Sequence, residues 1–457
     1  MTRLRWLAIL PVLFLLAATG LESQSKATFD LSPLEAVALK ELQDAHTPGA
    51  AVAVVFGDRV IYQRGFGVAS VETNEPVRPE MLFRLGSTTK MFTATALVSL
   101  AEQGAIDLDR PIGNYVKGLN PKIAQVTGNQ LLSHTAGLLD EAPMHGSNDE
   151  AALEKEVRSW TESMFFTEPS SIYSYSNPGF WLAGFLVQSL SAKPYADQME
   201  AAVFKPLGMT RTTFRPLVAM TYPMAAGHDE SPQGPKVIRP AANNAASWPA
   251  GSIFSSVLDL SRFVTAFVNG GRLDNAQALS PAVMARLTTP HAKIPGSEVA
   301  YGYGLELVRS RGVNIVRHGG SRSGYGSSIL MVPERHFGVV TLANRTGVSL
   351  NRTANKAMEI VLPLEPAKTA PTENPMTVSV AEINQYVGTY SQGKRTVEIL
   401  TRDRKMFFKL ETDESPLTKV GEGKLQIPDG AAFFVVRGST GAVEYLYAGG
   451  RSWRKLR

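Results

Sequence analysis

The 457-residue sequence has no cysteine. That excludes a cysteine nucleophile, a thiolate metal site and a lipid-modified cysteine. A chain of this size has no need of disulfides to hold its core. Histidine is scarce, and His46, His145, His228, His291 and His336 show no metal-ligand spacing such as His-x-x-x-His, so neither a metal nor a cofactor is expected. An excess of one charge is also lacking, since 46 basic residues face 41 acidic ones and the basic ones are scattered. The one cluster, Arg451, Arg454, Lys455 and Arg457, reads as a solvated last strand and tail rather than a nucleic-acid patch. There is no internal repeat and no low-complexity tract.

Long apolar runs are limited to one. Arg3 and Arg5 precede Trp6 to Ala18, and small residues follow in Ala18-Thr19-Gly20. A basic start, a short apolar run and a small-residue exit describe a secretory signal. The run is too short for a membrane span, which needs about 20 residues. Residues 1–20 are therefore expected to be a signal peptide, and the protein to be exported, periplasmic or secreted.

The rest can bury a sizeable core, with 44% hydrophobic and 19% charged residues. Leu31 to Leu42 reads as an amphipathic helix. Ala50 to Phe56 and Val60 to Tyr62 read as strands around the turn at Gly57-Asp58. A helix apolar around most of its circumference starts near Ser87 and stops at Gly104. Helical stretches such as Phe180 to Ser191 and Leu258 to Asn269 fill the middle, and strand patterns return between Tyr303 and Ala343. Strands at both ends with helices between suggest one sheet assembled from both ends and a helical layer. Three prolines in Leu364 to Pro375 mark a linker. Beyond it, short strands at Thr396 to Leu400, Met406 to Leu410, Leu425 to Ile427, Ala432 to Val436 and Val443 to Tyr447 suggest a small antiparallel sheet or barrel. The expected division is a catalytic-size domain at 21–364, a linker at 365–376 and a β-domain at 377–457.

Three segments can carry chemistry. In Gly86-Ser87-Thr88-Thr89-Lys90, Ser87 and Lys90 share a helix face, so an ammonium lies beside the hydroxyl. A serine needs such a base or cation to act as a nucleophile, and burial would lower the lysine pKa toward that of a proton acceptor. The competing reading is a serine N-cap with a solvent-facing lysine. In Tyr173-Ser-Tyr-Ser-Asn177, read as a loop before the helix at Phe180, Tyr175 and Asn177 project to one side. Tyr175 can act as acid or base, and Asn177 can hold Lys90 and a substrate carbonyl. A surface loop with Asn177 capping the next helix is the alternative. In Val316-Arg-His-Gly-Gly-Ser321, Gly319 and Gly320 let a substrate backbone lie against a strand, and His318 can bind a carboxylate or polarise Tyr175. An incidental histidine near a hairpin is the plain alternative.

Together, Ser87/Lys90, Tyr175/Asn177 and His318/Gly320 resemble the signature of the penicillin-recognising serine hydrolases. That superfamily holds class C β-lactamases, D,D-carboxypeptidases, D-aminopeptidases and β-lactamase-like esterases. Leu131-Leu-Ser-His-Thr-Ala-Gly-Leu138, Phe204-Lys-Pro-Leu-Gly-Met209 and Tyr301-Gly-Tyr-Gly304 look like phrases of the same group. The resemblance implies an α/β (α+β) serine β-lactamase-like fold, an antiparallel sheet flanked by helices plus an all-helical subdomain. It implies Ser87, Lys90 and Tyr175 as catalytic residues, and Asn177, His318, Gly319, Gly320 and Ser321 as substrate-binding ones. The Ser87 and Ser321 backbone N–H groups would form an oxyanion hole, and His134 would be structural. The C-terminal region is similar to the lipocalin-like barrel appended to some members, through Tyr386-Val-Gly-Thr-Tyr390, and would cap the site, build oligomers or pack passively.

The expected activity is hydrolysis of a small ester or peptide by a Ser87 acyl-enzyme, on D-amino-acid peptides or small esters. His318 stands where class C β-lactamases usually have lysine, so a permanently charged partner for a substrate carboxylate is missing. A β-lactamase or penicillin-binding protein ranks lower for that reason. The competing classes are a non-catalytic binder of peptide or peptidoglycan, and an adhesion protein working through its barrel. Pocket shape is expected to depend on loops 139–170 and 215–250.

Overall fold

The structure, a computed structural model, describes residues 29–368, 373–428 and 430–456. The expected signal segment, four residues of the expected linker and Arg457 lie outside the described residues.

Eight antiparallel strands make the main sheet: β1 (Gly49–Phe56), β2 (Arg59–Gly67), β3 (Ala292–Lys293), β4 (Ala300–Tyr301), β5 (Glu306–Ser310), β6 (Val313–Arg322), β7 (Tyr325–Val332) and β8 (Phe337–Ala343). Their order across the sheet is β2-β1-β8-β7-β6-β5-β4-β3. The amino-terminal hairpin thus lies against the last strand, with Ala53 opposite Val340. This is the assembly from both ends that the strand pattern suggests. Strand β1 is apolar throughout because both of its faces are covered. Ala51, Ala53 and Val55 join the core on the helical side, whereas Ala50, Val52 and Val54 join the core under α1 (Ser32–Asp44) and the late helix 351–361. The period of two assigns neighbours to opposite layers.

Helix α2 (Thr89–Glu102) runs through the middle of the helical layer, and every residue from Thr89 to Val98 is buried. Its turn before Thr89, Gly86–Thr88, is a 3₁₀ turn. Helix α3 (Asn177–Ser191) packs on α2, and α4 (Val257–Val268) lies against β1 and β8. Helix α3 starts three residues before the expected Phe180. Asn177 is therefore a residue of its first turn, not of an extended loop, and Ser176 is the cap, accepting from Gly179 N at 3.2 Å.

Past the linker, eight strands form a closed antiparallel barrel in which each pairs with the next and the last returns to the first. They are β9 (Gly388–Gln392), β10 (Arg395–Arg402), β11 (Lys405–Leu410), β12 (Asp413–Gly421), β13 (Lys424–Gln426), β14 (Ala432–Arg437), β15 (Val443–Ala448) and β16 (Arg451–Lys455). Five match strands expected from the sequence. Strand β12 escapes notice because Pro416 interrupts it and a buried lysine stands at an inward position; Lys419 is neutralised by Glu382 at 2.7 Å. The barrel core gathers Tyr386, Tyr390, Ile399, Leu425 and Leu446. Among the described residues no helix is long and apolar enough to cross a membrane.

Candidate active site

The site lies where the turn before α2, the start of α3 and the second half of β6 meet. Close contact between turn and strand is enforced by two glycines. Gly86 has a φ of +56°, and a Cβ there would stand 2.5 Å from Ser321 O. A Cβ on Gly320 would stand 1.9 Å from Leu85 O and 3.0 Å from Ser87 N. The backbone of Ser87 and that of Gly320-Ser321 can approach this way only without side chains. Replacing Gly320 with alanine is expected to cost about 3 kcal/mol of stability, read by urea unfolding, because the displaced atoms are backbone. An unchanged midpoint would contradict this packing.

Lys90 is fully buried, and among the described residues its Nζ has three hydrogen-bond partners: Ser87 Oγ at 3.2 Å, Asn177 Oδ1 at 2.7 Å and Ala250 O at 2.7 Å. None is a carboxylate. Burial pushes its pKa down to about 7, opposed by Asp140 and assisted by Arg451. A neutral amine has two N–H donors and one lone pair. The two carbonyl oxygens take the donors, and the Ser87 hydroxyl meets the lone pair. The arrangement is satisfied before and after a proton passes from Ser87 to Lys90, so transfer requires no rearrangement.

Tyr175 lies beside Ser87 and Lys90. Burial raises its pKa, and Ser87 opposes the rise. Its ring has the Lys90 ammonium 4.8 Å and the Arg451 guanidinium 5.4 Å from its centroid. Asn177 is held from behind: its backbone N and its Nδ2 both donate to Asp140 Oδ1, at 2.8 and 2.9 Å. This fixes the amide with Oδ1 toward Lys90.

His318 meets Tyr301 through a hydrogen bond rather than Tyr175, whose ring centroid is 6.3 Å from its own. A single chain of donors fixes every proton here. Ser176 N donates to His134 Nδ1 at 3.1 Å, so His134 carries its proton on Nε2 and donates to Tyr301 at 3.2 Å. Tyr301 donates to His318 Nε2 at 3.0 Å, and His318 Nδ1 donates to Gly319 O at 2.6 Å. Both imidazoles are neutral in this chain. Burial, with Lys90 adding repulsion, lowers His318 to about 4 and His134 well below its ordinary value. His134, expected to be structural, is thus wired to the third motif by Tyr301.

Strand β5 pairs with β6 only as far as Arg317, so His318 to Arg322 are bonded on one side, to β7, and open on the other. An open edge with glycines can accept an extended backbone. A cavity of about 230 Å³ adjoins it, lined by Ser87, Asn177, Ser321 and Arg322 together with Met144 and Ser247. The last two come from the loops expected to shape the pocket.

Asp140, Arg322 and Arg451 are charged residues that the sequence reading does not place at the site. Asp140 belongs to no motif. Arg451 reads as part of a solvated last strand and tail; the strand is there, but the structure corrects the solvation. Arg451 stands at the turn between β15 and β16, with Nε 2.7 Å from Asp140 Oδ2 and Nη2 on the same oxygen. The same turn bonds the Tyr175 segment, with Tyr175 N donating to Gly450 O at 2.9 Å and Ser452 N to Ser174 Oγ at 3.1 Å. The barrel therefore covers the Tyr175 segment, one of the roles open from the sequence. An arginine among other basic tail residues gives no signal of this; only barrel closure places it.

The Beta-lactamase family model matches residues 34–362. The chain is 29% identical to Unguisins hydrolase ungD of Aspergillus violaceofuscus over 70% of its own length and 63% of that protein's, so it spans under two thirds of this curated relative. Among solved structures, SurE aligns over 93% of this chain and 98% of its own, at a TM-score of 0.75 and 22% identity, a likeness of fold that extends into the barrel. The D-amino acid amidase from Ochrobactrum anthropi SV3, complexed with D-phenylalanine, covers 72% of this chain and 99% of its own, with a TM-score of 0.60 and 26% identity. With the family model matched across the sheet and the helical layer that hold Ser87, Lys90, Tyr175 and His318, the chain belongs to the beta-lactamase family.

Proposed function

We propose that this protein is an exported serine hydrolase that opens an amide or ester bond through an acyl-enzyme on Ser87. The observation that carries the reading is the buried, carboxylate-free Lys90 beside Ser87 Oγ. Lys90, neutral above about pH 7, takes the Ser87 proton as Oγ attacks the carbonyl. Tyr175, which stands close to Ser87, passes a proton to the leaving group and later activates water. The N–H groups of Ser87 and Ser321 receive the oxyanion. Asn177 positions Lys90, and the β6 edge at His318, Gly319 and Gly320 holds the substrate. In this reading residues 21–364 form the hydrolase domain and 377–457 the barrel domain.

D-amino-acid amides and peptides, or small esters, are the proposed substrates. The D-amino acid amidase at 26% identity supports amide chemistry, and the hydrolase ungD supports a hydrolytic reaction. The neutral His318 supports ranking β-lactams lower. The test is acid quenching of the mature protein during turnover of p-nitrophenyl butyrate and of D-phenylalanine amide, with peptide mass mapping. An acyl group on the Ser87 peptide supports the reading; turnover without a labelled serine, or labelling elsewhere, refutes it. The pH dependence is a separate expectation. Lys90 must be unprotonated to act, so kcat/KM should rise with pH along an acid limb centred near 7. A limb near 4 would instead implicate His318.

A further inference from the structure

Two arginines flank the nucleophile and lack a counter-ion. Arg84 lies three residues before Ser87, and Arg322 follows Ser321 at the end of β6. They are 3% and 7% exposed, and among the described residues neither pairs with a carboxylate. Both lean on one carbonyl, Ala242 O, which accepts from Arg84 Nη1 and, at 3.5 Å, from Arg322 Nη2. Arg322 Nη1 also donates to Gly251 O at 3.1 Å. Arg84 Nη2 donates to Asn243 Oδ1 at 3.4 Å and its guanidinium lies over the Phe254 ring, but among the described residues the Nε of each arginine is buried with no hydrogen-bond partner. In Arg322 the Nε–Nη2 edge, the fork that matches a carboxylate side-on, therefore has one bond at the limit of length.

Fixing a loop does not require two like charges in one dry place. Burying an unpaired guanidinium costs several kcal/mol, and such costs persist where a function needs them. Repulsion from Arg84 adds to burial in lowering the Arg322 pKa. An anion reaching Arg322 from the cavity would offset that cost. Arg322 lines the same cavity as Ser87, Asn177 and Ser321, four residues along β6 from the neutral His318.

We propose that Arg322, backed by Arg84, receives a carboxylate carried by the substrate, so that the cleft selects amides, peptides or esters bearing a free acid. This rests on the hydrolase reading for its chemistry but not for its binding. It supplies from the far end of the strand the permanent charge that His318 does not provide.

Two matched ester pairs test it. One is 4-carboxyphenyl butyrate with 4-carbamoylphenyl butyrate, an acid on the leaving side. The other is the p-nitrophenyl ester of adipic acid with its methyl diester, an acid on the acyl side. The wild type should prefer the acid in at least one pair by about tenfold or more in kcat/KM. In Arg322→Gln that ratio should fall toward one, and Arg322→Lys should restore part of it. No preference in either pair overturns the proposal, even if the variants fail to fold, and so does a preference that survives Arg322→Gln. If no ester turns over, the hydrolase reading suffers, and calorimetry of glutarate against glutaramide with Ser87→Ala protein decides this one. Binding of glutarate alone, lost on adding Arg322→Gln, supports it; no selective binding overturns it.

Discussion

Replacing Ser87 with alanine should lower turnover of p-nitrophenyl butyrate by at least about 10⁴-fold, and Lys90→Ala should fall to nearly the same floor. Combining the two should cost little more. The expectation of non-additivity comes from the hydrogen bonds at Lys90. Among the described residues its Nζ has only Ser87 Oγ, Asn177 Oδ1 and Ala250 O as hydrogen-bond partners, and only the first can give up a proton. Without Ser87 the amine has nothing to deprotonate; without Lys90 the hydroxyl keeps its ordinary, weakly nucleophilic state. Single-turnover measurements on the two single variants and the double variant check this. Multiplying losses would mean that Ser87 and Lys90 serve separate steps.

The second large effect is expected far from the motifs. Arg451→Gln should reduce kcat/KM by about 10²-fold and move the acid limb upward. Asp140 is all but buried, its side chain 5% exposed, and Arg451 is its only ion-pair partner among the described residues. Asp140 in turn holds Asn177 through two hydrogen bonds, and Asn177 holds Lys90. Loss of the guanidinium leaves an uncompensated carboxylate behind Asn177. The sign follows from the two charges. Asp140 raises the Lys90 pKa and Arg451 lowers it, so removing Arg451 lets the raising influence stand alone. More of the lysine is then protonated at a given pH, and activity appears only at higher pH. Adding Asp140→Asn to Arg451→Gln should bring the limb back down, a rescue that simple unfolding would not show. An unshifted limb in Arg451→Gln would mean that the barrel touches the site without tuning it.

What could be read from the sequence divides along physical lines. Ser87 and Lys90 are legible because helix geometry alone brings positions three apart to one face. The Tyr175 and His318 segments can be listed from sequence but not joined, since their meeting depends on a sheet built from both ends. Asn177 reads as part of a loop before Phe180, yet it opens the helix, since Pro178 is at home in the first turn. The proton order through His134, Tyr301 and His318 could not be foreseen. It needs four groups from four segments in register, and Tyr301 lies on a two-residue strand too short to announce itself. Asp140 and Arg322 are invisible for another reason: each works through burial, which an isolated charged letter does not reveal.

The position of Arg451 also bears on how the molecule becomes active. Asp140 and Arg451 are 311 residues apart in the chain. Strand β16, which begins with Arg451, is also the strand that pairs with β9 and shuts the barrel, Tyr390 against Lys455. Closing the barrel and delivering the guanidinium are thus one event. A chain emerging from synthesis can complete its sheet and set Ser87 beside Lys90 while Asp140 still stands unanswered. The order of synthesis then acts as a timer: competence comes with nearly the last residues described, and a nick or tag that loosens this strand disarms a site whose proposed catalytic side chains are all intact.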